Sequence, residues 1–141
     1  MQQFFAFVVN HWILFLALVV ISVLLAATLL SEVLLGFKSV TPAAAIQLIN
    51  REGAAMLDVR EDSEFRAGHI VNAVHVPLSA LETRLKQLDK MKDKPLIVTC
   101  QSGQLSARAC DILRKHGFTQ VYKLGGGLLT WKDAKLPLVA S

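Results

Sequence analysis

Apolar positions along this chain form one long block, followed by a series of short runs separated by polar, capped segments. The block covers residues 4–30, where Asn10 and His11 are the only strongly polar positions. Residues 12–30 are apolar throughout except for Ser22 and Thr28, a length that crosses a bilayer as a helix. A helix apolar on every side has no polar face to turn away from a soluble core. Trp12, with His11 beside it, suits the membrane interface, where amphipathic rings collect. A cleaved signal peptide fits poorly, because Met1-Gln2-Gln3 carries no cation and the apolar run is too long. Residues 1–35 are therefore expected to be a transmembrane anchor, and residues 36–141 a folded domain behind a short linker.

The later runs alternate in kind. Ser39-Val40 predicts a short strand. Thr41-Pro42 supplies a cap and a first-turn proline for a helix through Ile46, Leu48 and Ile49 towards Gly53. Residues 54–59 have the length of a buried strand, as do 74–76 and 96–99. Between the last two, Leu78, Leu81, Leu85 and Leu88 stand at helical spacing with charges between them. A helix over 106–116 closes at Gly117. Residues 121–124 form the next strand, and Gly125-Gly126-Gly127 turn into a short helix around Trp131. Nearly all-apolar strands alternating with helices predict an α/β fold whose mainly parallel sheet is covered on both faces.

Charge sharpens this division. All 15 Lys and Arg lie at or beyond Lys38, as do all the acidic residues except Glu32. The soluble part carries about five excess positive charges, too few and too scattered among non-aromatic neighbours to indicate nucleic acid. A mild positive balance does suit a domain held beside an anionic leaflet. Lys38 and Arg51 follow the helix while no cation precedes it, which predicts a single-pass protein with its C-terminal domain in the cytoplasm, as at a bacterial inner membrane. The lipid bilayer is then a partner, and a membrane protein is a candidate second one. Two cysteines, Cys100 and Cys110, with no CxxC and no zinc-ligand spacing, fit a reducing compartment. No metal and no organic cofactor is called for.

In open α/β sheets, sites form at the carboxyl ends of strands, where helix N-termini converge. Residues 99–106, Thr-Cys-Gln-Ser-Gly-Gln-Leu-Ser, occupy such a place between a strand and a helix. Backbone N–H groups in a tight loop converge as an anion nest, and the helix N-terminus adds positive potential. Gly103 permits the curl. A cysteine at that mouth favours the nucleophilic thiolate; the alternative is a buried structural cysteine at a strand end. Cys110, on the following helix beside Ala109 and Ile112, is expected in the core.

Three separated motifs resemble the rhodanese family. Residues 56–61 (Met-Leu-Asp-Val-Arg-Glu), with Glu64-Phe65, Gly68-His69-Ile70, Ala73 and Val76-Pro77, are similar to its first signature. Gly117-Phe118 through residues 121–127 to Trp131 are similar to its closing signature, and the Cys-x-x-Gly loop lies between. The resemblance spans about residues 38–137. It implies a five-stranded, mainly parallel α/β fold and a cysteine that carries sulfane sulfur as a persulfide. The matched catalytic residue is Cys100, with Gln101, Ser102, Gly103, Gln104 and Leu105 as the anion-binding loop. Asp58 and Arg60 match supporting positions, expected to form an ion pair that braces the loop, and His69 is expected to be structural. Two positions depart from the family pattern. Leu105 stands where a basic residue is common, and Asn72 stands where glycine is usual, an exchange that a left-handed turn tolerates.

The expected function is sulfur transfer from a sulfane-sulfur donor to a thiol or other nucleophilic acceptor, with thiosulfate a poor donor because the loop is neutral. A cation placed at Leu105 is expected to improve it. A cysteine phosphatase would need a roomier loop and an arginine in it to hold phosphate, and none is present. The remaining alternative is a non-catalytic docking module for membrane or sulfur-handling proteins.

Overall fold

Two units divide the chain, residues Met1–Gly36 and Phe37–Ser141. The computed structural model describes the backbone of residues 1–141 and every side chain except those of Glu32, Val33 and Leu35.

The first unit consists of helices α1 (Gln2–Asn10) and α2 (Trp12–Leu35), with His11 between them. The stretch Trp12–Ser31 of α2 is 20 residues long, has a mean hydropathy of 3.0, and is long and apolar enough to cross a membrane. Two of its hydroxyls are satisfied within the helix. Thr28 Oγ1 donates to the Leu25 carbonyl and Ser31 Oγ to the Thr28 carbonyl, each at 2.7 Å. That matters because lipid offers a polar group no partner.

The second unit is built on five parallel strands in the order β1 (Lys38–Val40), β6 (Val121–Leu124), β5 (Leu96–Thr99), β2 (Ala55–Asp58) and β4 (Val74–His75). Side chains alternate across the central strands. Leu57 and Val98 face a core with Leu81, Leu88, Ala109 and Leu113. Met56 and Ile97 face the opposite core with Ala45, Leu124, Leu128 and Trp131. Helix α3 (Pro42–Glu52) starts as the sequence predicts. Thr41 Oγ1 accepts the Ala44 N–H at 3.2 Å, Pro42 fills the first turn, and Gly53 closes the helix at φ 66°. Helices α4 (Asp62–Ala67), α5 (Gln104–Lys115) and α6 (Gly127–Asp133) complete the layers.

Two features differ from the sequence expectation. The predicted helix after residue 77 is instead a pair of 3-10 segments, Leu78–Ala80 and Leu85–Met91. Leu85, Leu88 and Met91 recur every third residue, which aligns them along a 3-10 helix as well as along an α-helix. A second, two-stranded sheet pairs β3 (His69–Ile70) antiparallel with β7 (Leu138–Val139). Strands that short carry no readable alternation. Because the five strands run parallel, their carboxyl ends share one edge of the sheet. Asp58 and Thr99 end adjacent strands there and face each other in register.

Candidate active site

Cys100 follows β5 directly and is buried, at 1 % relative exposure. The chain turns beneath its sulfur. The Gly103 N–H donates to Sγ at 3.0 Å and the Ser106 N–H at 3.4 Å. Gly103 makes the turn at φ 95°, a left-handed angle that favours glycine. Ser106 closes the curl from the other side: its hydroxyl donates to the Gly103 carbonyl at 3.0 Å and accepts from Cys100 Sγ at 3.6 Å. Two backbone donors therefore converge on a single sulfur, whose own proton goes to the Ser106 hydroxyl, and N–H groups aimed at one atom in this way suit negative charge.

Helix α6 fixes the loop from outside. The Leu128 N–H donates to the Cys100 carbonyl at 2.8 Å and the Leu129 N–H to the Gln101 carbonyl at 3.2 Å. Gly127 lies so close that a Cβ there would overlap the Cys100 carbonyl oxygen and come within 2.9 Å of the Gln101 carbonyl oxygen. The glycine run after β6 is thus a packing requirement of the cysteine loop as well as a turn.

On the neighbouring strand end, Asp58 and Arg60 are both buried and paired. Arg60 Nη2 donates to Asp58 Oδ2 at 2.7 Å and Nε to Oδ1 at 3.0 Å. The remaining guanidinium donors reach the Gly68 carbonyl at 2.8 Å and Gln101 Oε1 at 3.3 Å. Arg60 is therefore an ion-pair partner that also touches the loop residue next to Cys100. His69 Nδ1 bonds the Phe65 carbonyl at 2.8 Å, a local brace, and Asn72 takes the left-handed turn at φ 62°.

The loop ends before Leu105, sooner than the sequence suggests. Gln104 and Leu105 already belong to the first turn of α5. Leu105 is half-exposed and lines a cavity of about 500 Å³ together with Glu61, Glu64, Glu82 and Arg108. A second cavity of about 430 Å³ borders the loop at Gln101 and includes Arg60, Glu64 and Lys132. The loop itself is neutral, but Arg108 and Lys132 stand on its two flanks. Sequence reading left both out of the site, along with the hydroxyl of Ser106. Ser106 had a signal, its place one residue past the loop at the helix start. Lys132 had none, since only folding brings α6 beside Gln101, whereas Arg108 lies about one turn past Leu105 on α5.

Cys110 lies buried on α5, with its sulfur 3.7 Å from the Tyr122 carbonyl. Burial pushes its thiol up to about 12, with Lys123 opposing and Cys100 adding to the shift. It remains a protonated thiol across the neutral range. Among the described residues, no cluster of His, Cys, Asp and Glu forms a metal site.

Comparison with known proteins agrees with the fold. The family model described as Rhodanese-like domain matches residues 41–134. The Escherichia coli (strain K12) protein YibN is 35 % identical over 140 residues, covering 99 % of this chain and 98 % of YibN. Thiosulfate sulfurtransferase GlpE of Pseudomonas putida is 34 % identical over 96 residues, 68 % of this chain and 86 % of GlpE. Among solved structures, a rhodanese-related protein from Thermoplasma volcanium superimposes with a TM-score of 0.67 at 30 % identity. That match covers 74 % of this chain and 100 % of the other.

Proposed function

We propose, from the premise that this chain belongs to the rhodanese-like domain family, that it is a sulfurtransferase working through a persulfide on Cys100. The observation that carries this reading is the convergence of the Gly103 and Ser106 N–H groups on Cys100 Sγ. In the first half-reaction the Cys100 thiolate attacks the outer sulfur of a donor. A new sulfur–sulfur bond forms to Cys100, and the donor's own bond to that sulfur breaks. The leaving group, a thiolate or sulfite, departs with the bonding pair. In the second half-reaction an acceptor thiolate attacks the outer sulfur of the persulfide, and Cys100 leaves as thiolate. No electrons are gained or lost overall, so neither half needs an external oxidant, a metal or an organic cofactor. Rates follow the thiolate fraction, the leaving group and access.

The domain works at the cytoplasmic face of a membrane, tethered by α2 and oriented by the cations that follow it. Its thiols are then kept reduced between turnovers. The donor is a sulfane-sulfur compound or protein persulfide, and the acceptor a thiol.

A second reading, a docking module for membrane or sulfur-handling proteins, draws on the enclosure of Cys100 at 1 % exposure. Mass spectrometry separates the two. The full chain, incubated with a sulfane donor, should gain the mass of one sulfur atom, lose it to an added thiol, and show neither change as Cys100→Ser. A wild-type protein that stays folded yet takes up sulfur from no donor is a docking module.

A further inference from the structure

Charge in the second unit is separated along the strand direction. The carboxyl edge of the sheet, around the cysteine loop, carries Asp58, Glu61, Asp62, Glu64 and Glu82 against Arg60, Arg66, Arg108 and Lys132, close to balance. The amino edge is basic. Lys38 opens β1, and Arg51 lies at the end of α3, which returns the chain to that edge. Lys90, Lys92 and Lys94 come down the last 3-10 segment into Pro95, whose carbonyl bonds Ala55 at the start of β2. Arg114 and Lys115 end α5. Lys92 Nζ, 5.6 Å from the centre of the Phe118 ring, joins the last two groups into one surface. The carboxylates among these cations are Glu52, Asp89, Asp93 and Asp111, of which Asp89 pairs with Lys92 and Asp111 with Lys115. Cations exceed them, and Lys38, Arg51, Lys90, Lys94 and Lys115 are all exposed.

Where the chain enters decides what this surface meets. Lys38 is the first residue of β1, so the polypeptide arrives at the amino edge and not at the edge that holds Cys100. Six residues separate Ser31, the end of the membrane-length stretch, from Lys38. Even fully extended, such a tether reaches only about 20 Å. The amino edge is thus the part of the domain confined near lipid headgroups, and it is the part that carries the excess positive charge.

We infer that the amino edge of the sheet is a docking surface for anionic lipid headgroups. Contact there turns the cysteine loop, at the opposite edge, away from the bilayer and towards acceptors in the aqueous phase. The attraction is diffuse, adding roughly equal amounts per cation near the surface and decaying within a Debye length. The proposal rests on α2 being inserted in a membrane and is independent of the chemistry assigned to Cys100.

The test uses the full chain reconstituted in nanodiscs of phosphatidylcholine alone, or with an added fraction of phosphatidylserine. Amide hydrogen exchange is read by mass spectrometry over residues 84–95 and over residues 100–106. Co-elution with the nanodiscs first establishes insertion. Expected is slower exchange over 84–95 in anionic discs only, reversed by high salt, with 100–106 unchanged. Lys90→Gln/Lys94→Gln should lower the docked-to-undocked ratio by roughly 30-fold and abolish the protection. The charge-matched pair Arg66→Gln/Arg108→Gln, at the other edge, should retain it. Equal exchange in the two kinds of disc overturns the proposal, as does protection centred on 100–106, or protection that survives loss of Lys90 and Lys94.

Discussion

Ser106 Oγ lies 3.6 Å from Cys100 Sγ while giving its single proton to the Gly103 carbonyl at 3.0 Å. While Cys100 is a thiol the three groups form a chain: thiol to hydroxyl to carbonyl. Ionisation removes the first proton and leaves the Ser106 hydroxyl free to turn its own towards the sulfur. A hydrogen bond to a charged partner contributes about 1.5–3 kcal/mol. Ser106→Ala should therefore slow persulfide formation by roughly tenfold or more at fixed pH. An alanine variant that stays folded and forms the persulfide at the wild-type rate removes Ser106 from the chemistry.

The Asp58–Arg60 pair makes a sharper stability prediction. Both side chains are buried, and the guanidinium keeps only the Gly68 carbonyl and Gln101 once the carboxylate is gone. An uncompensated buried charge costs about 3–5 kcal/mol, a large share of the stability of a domain this size. Asp58→Ala should lower the urea midpoint of the full chain in detergent accordingly. Asp58→Ala/Arg60→Met, which removes both charges, should recover most of the loss. If the double variant is as unstable as the single, the cost lies in packing and not in the orphaned charge.

Much of this architecture was legible because local chemistry and global fold agree. Thr41, Pro42 and Gly53 each fit one position of α3, and the strands at 55–58 and 96–99, apolar up to their last residues Asp58 and Thr99, call for cover on both faces. The pairing of Asp58 with Arg60 also follows from their adjacency at a strand end. What escaped depends on distance in sequence. Lys132 reaches the loop only because α6 packs its amino end on Cys100 and Gln101. Leu105 looked like a loop residue because nothing in its neighbours says where α5 begins. The two-residue strands His69–Ile70 and Leu138–Val139 are held by pairing across the domain, which no local pattern records.

Cys110 supplies a pH dependence of its own. Burial holds its thiol up to about 12, whereas the unfolded chain ionises near its ordinary value of 9.0. The folded state thus keeps a proton that the unfolded state releases. The site is silent below pH 9, and between there and about pH 12 it costs about 1.4 kcal/mol of stability per pH unit. Chemical unfolding of wild type and Cys110→Ala should give parallel stabilities from pH 7 to 8.5. Above pH 9 the wild type should fall more steeply. Equal slopes up to pH 10.5 would mean that the thiol is not held protonated by the fold.

Acidic neighbours limit what a cation at the loop's end can do. From the sequence, Leu105 is the position where a basic residue should help bind a doubly charged donor such as thiosulfate. In the folded domain its side chain lines a cavity shared with Glu61, Glu64, Glu82 and Arg108. An arginine placed there meets carboxylates first, and its charge is spent on them before any reaches the sulfur. Leu105→Arg should therefore raise kcat/KM for thiosulfate by less than about threefold. A charge-assisted contact left unopposed contributes enough for roughly tenfold or more. Leu105→Arg/Glu82→Gln should recover part of that difference, because one competing carboxylate is gone. Glu82→Gln alone serves as the control for its own effect on the donor. Measuring kcat/KM for thiosulfate and for an uncharged persulfide donor across the wild type and these variants separates field from shape. The double variant should gain on thiosulfate and not on the uncharged donor. A tenfold gain from Leu105→Arg alone would show that the side chain turns into the nest instead of the acidic cavity.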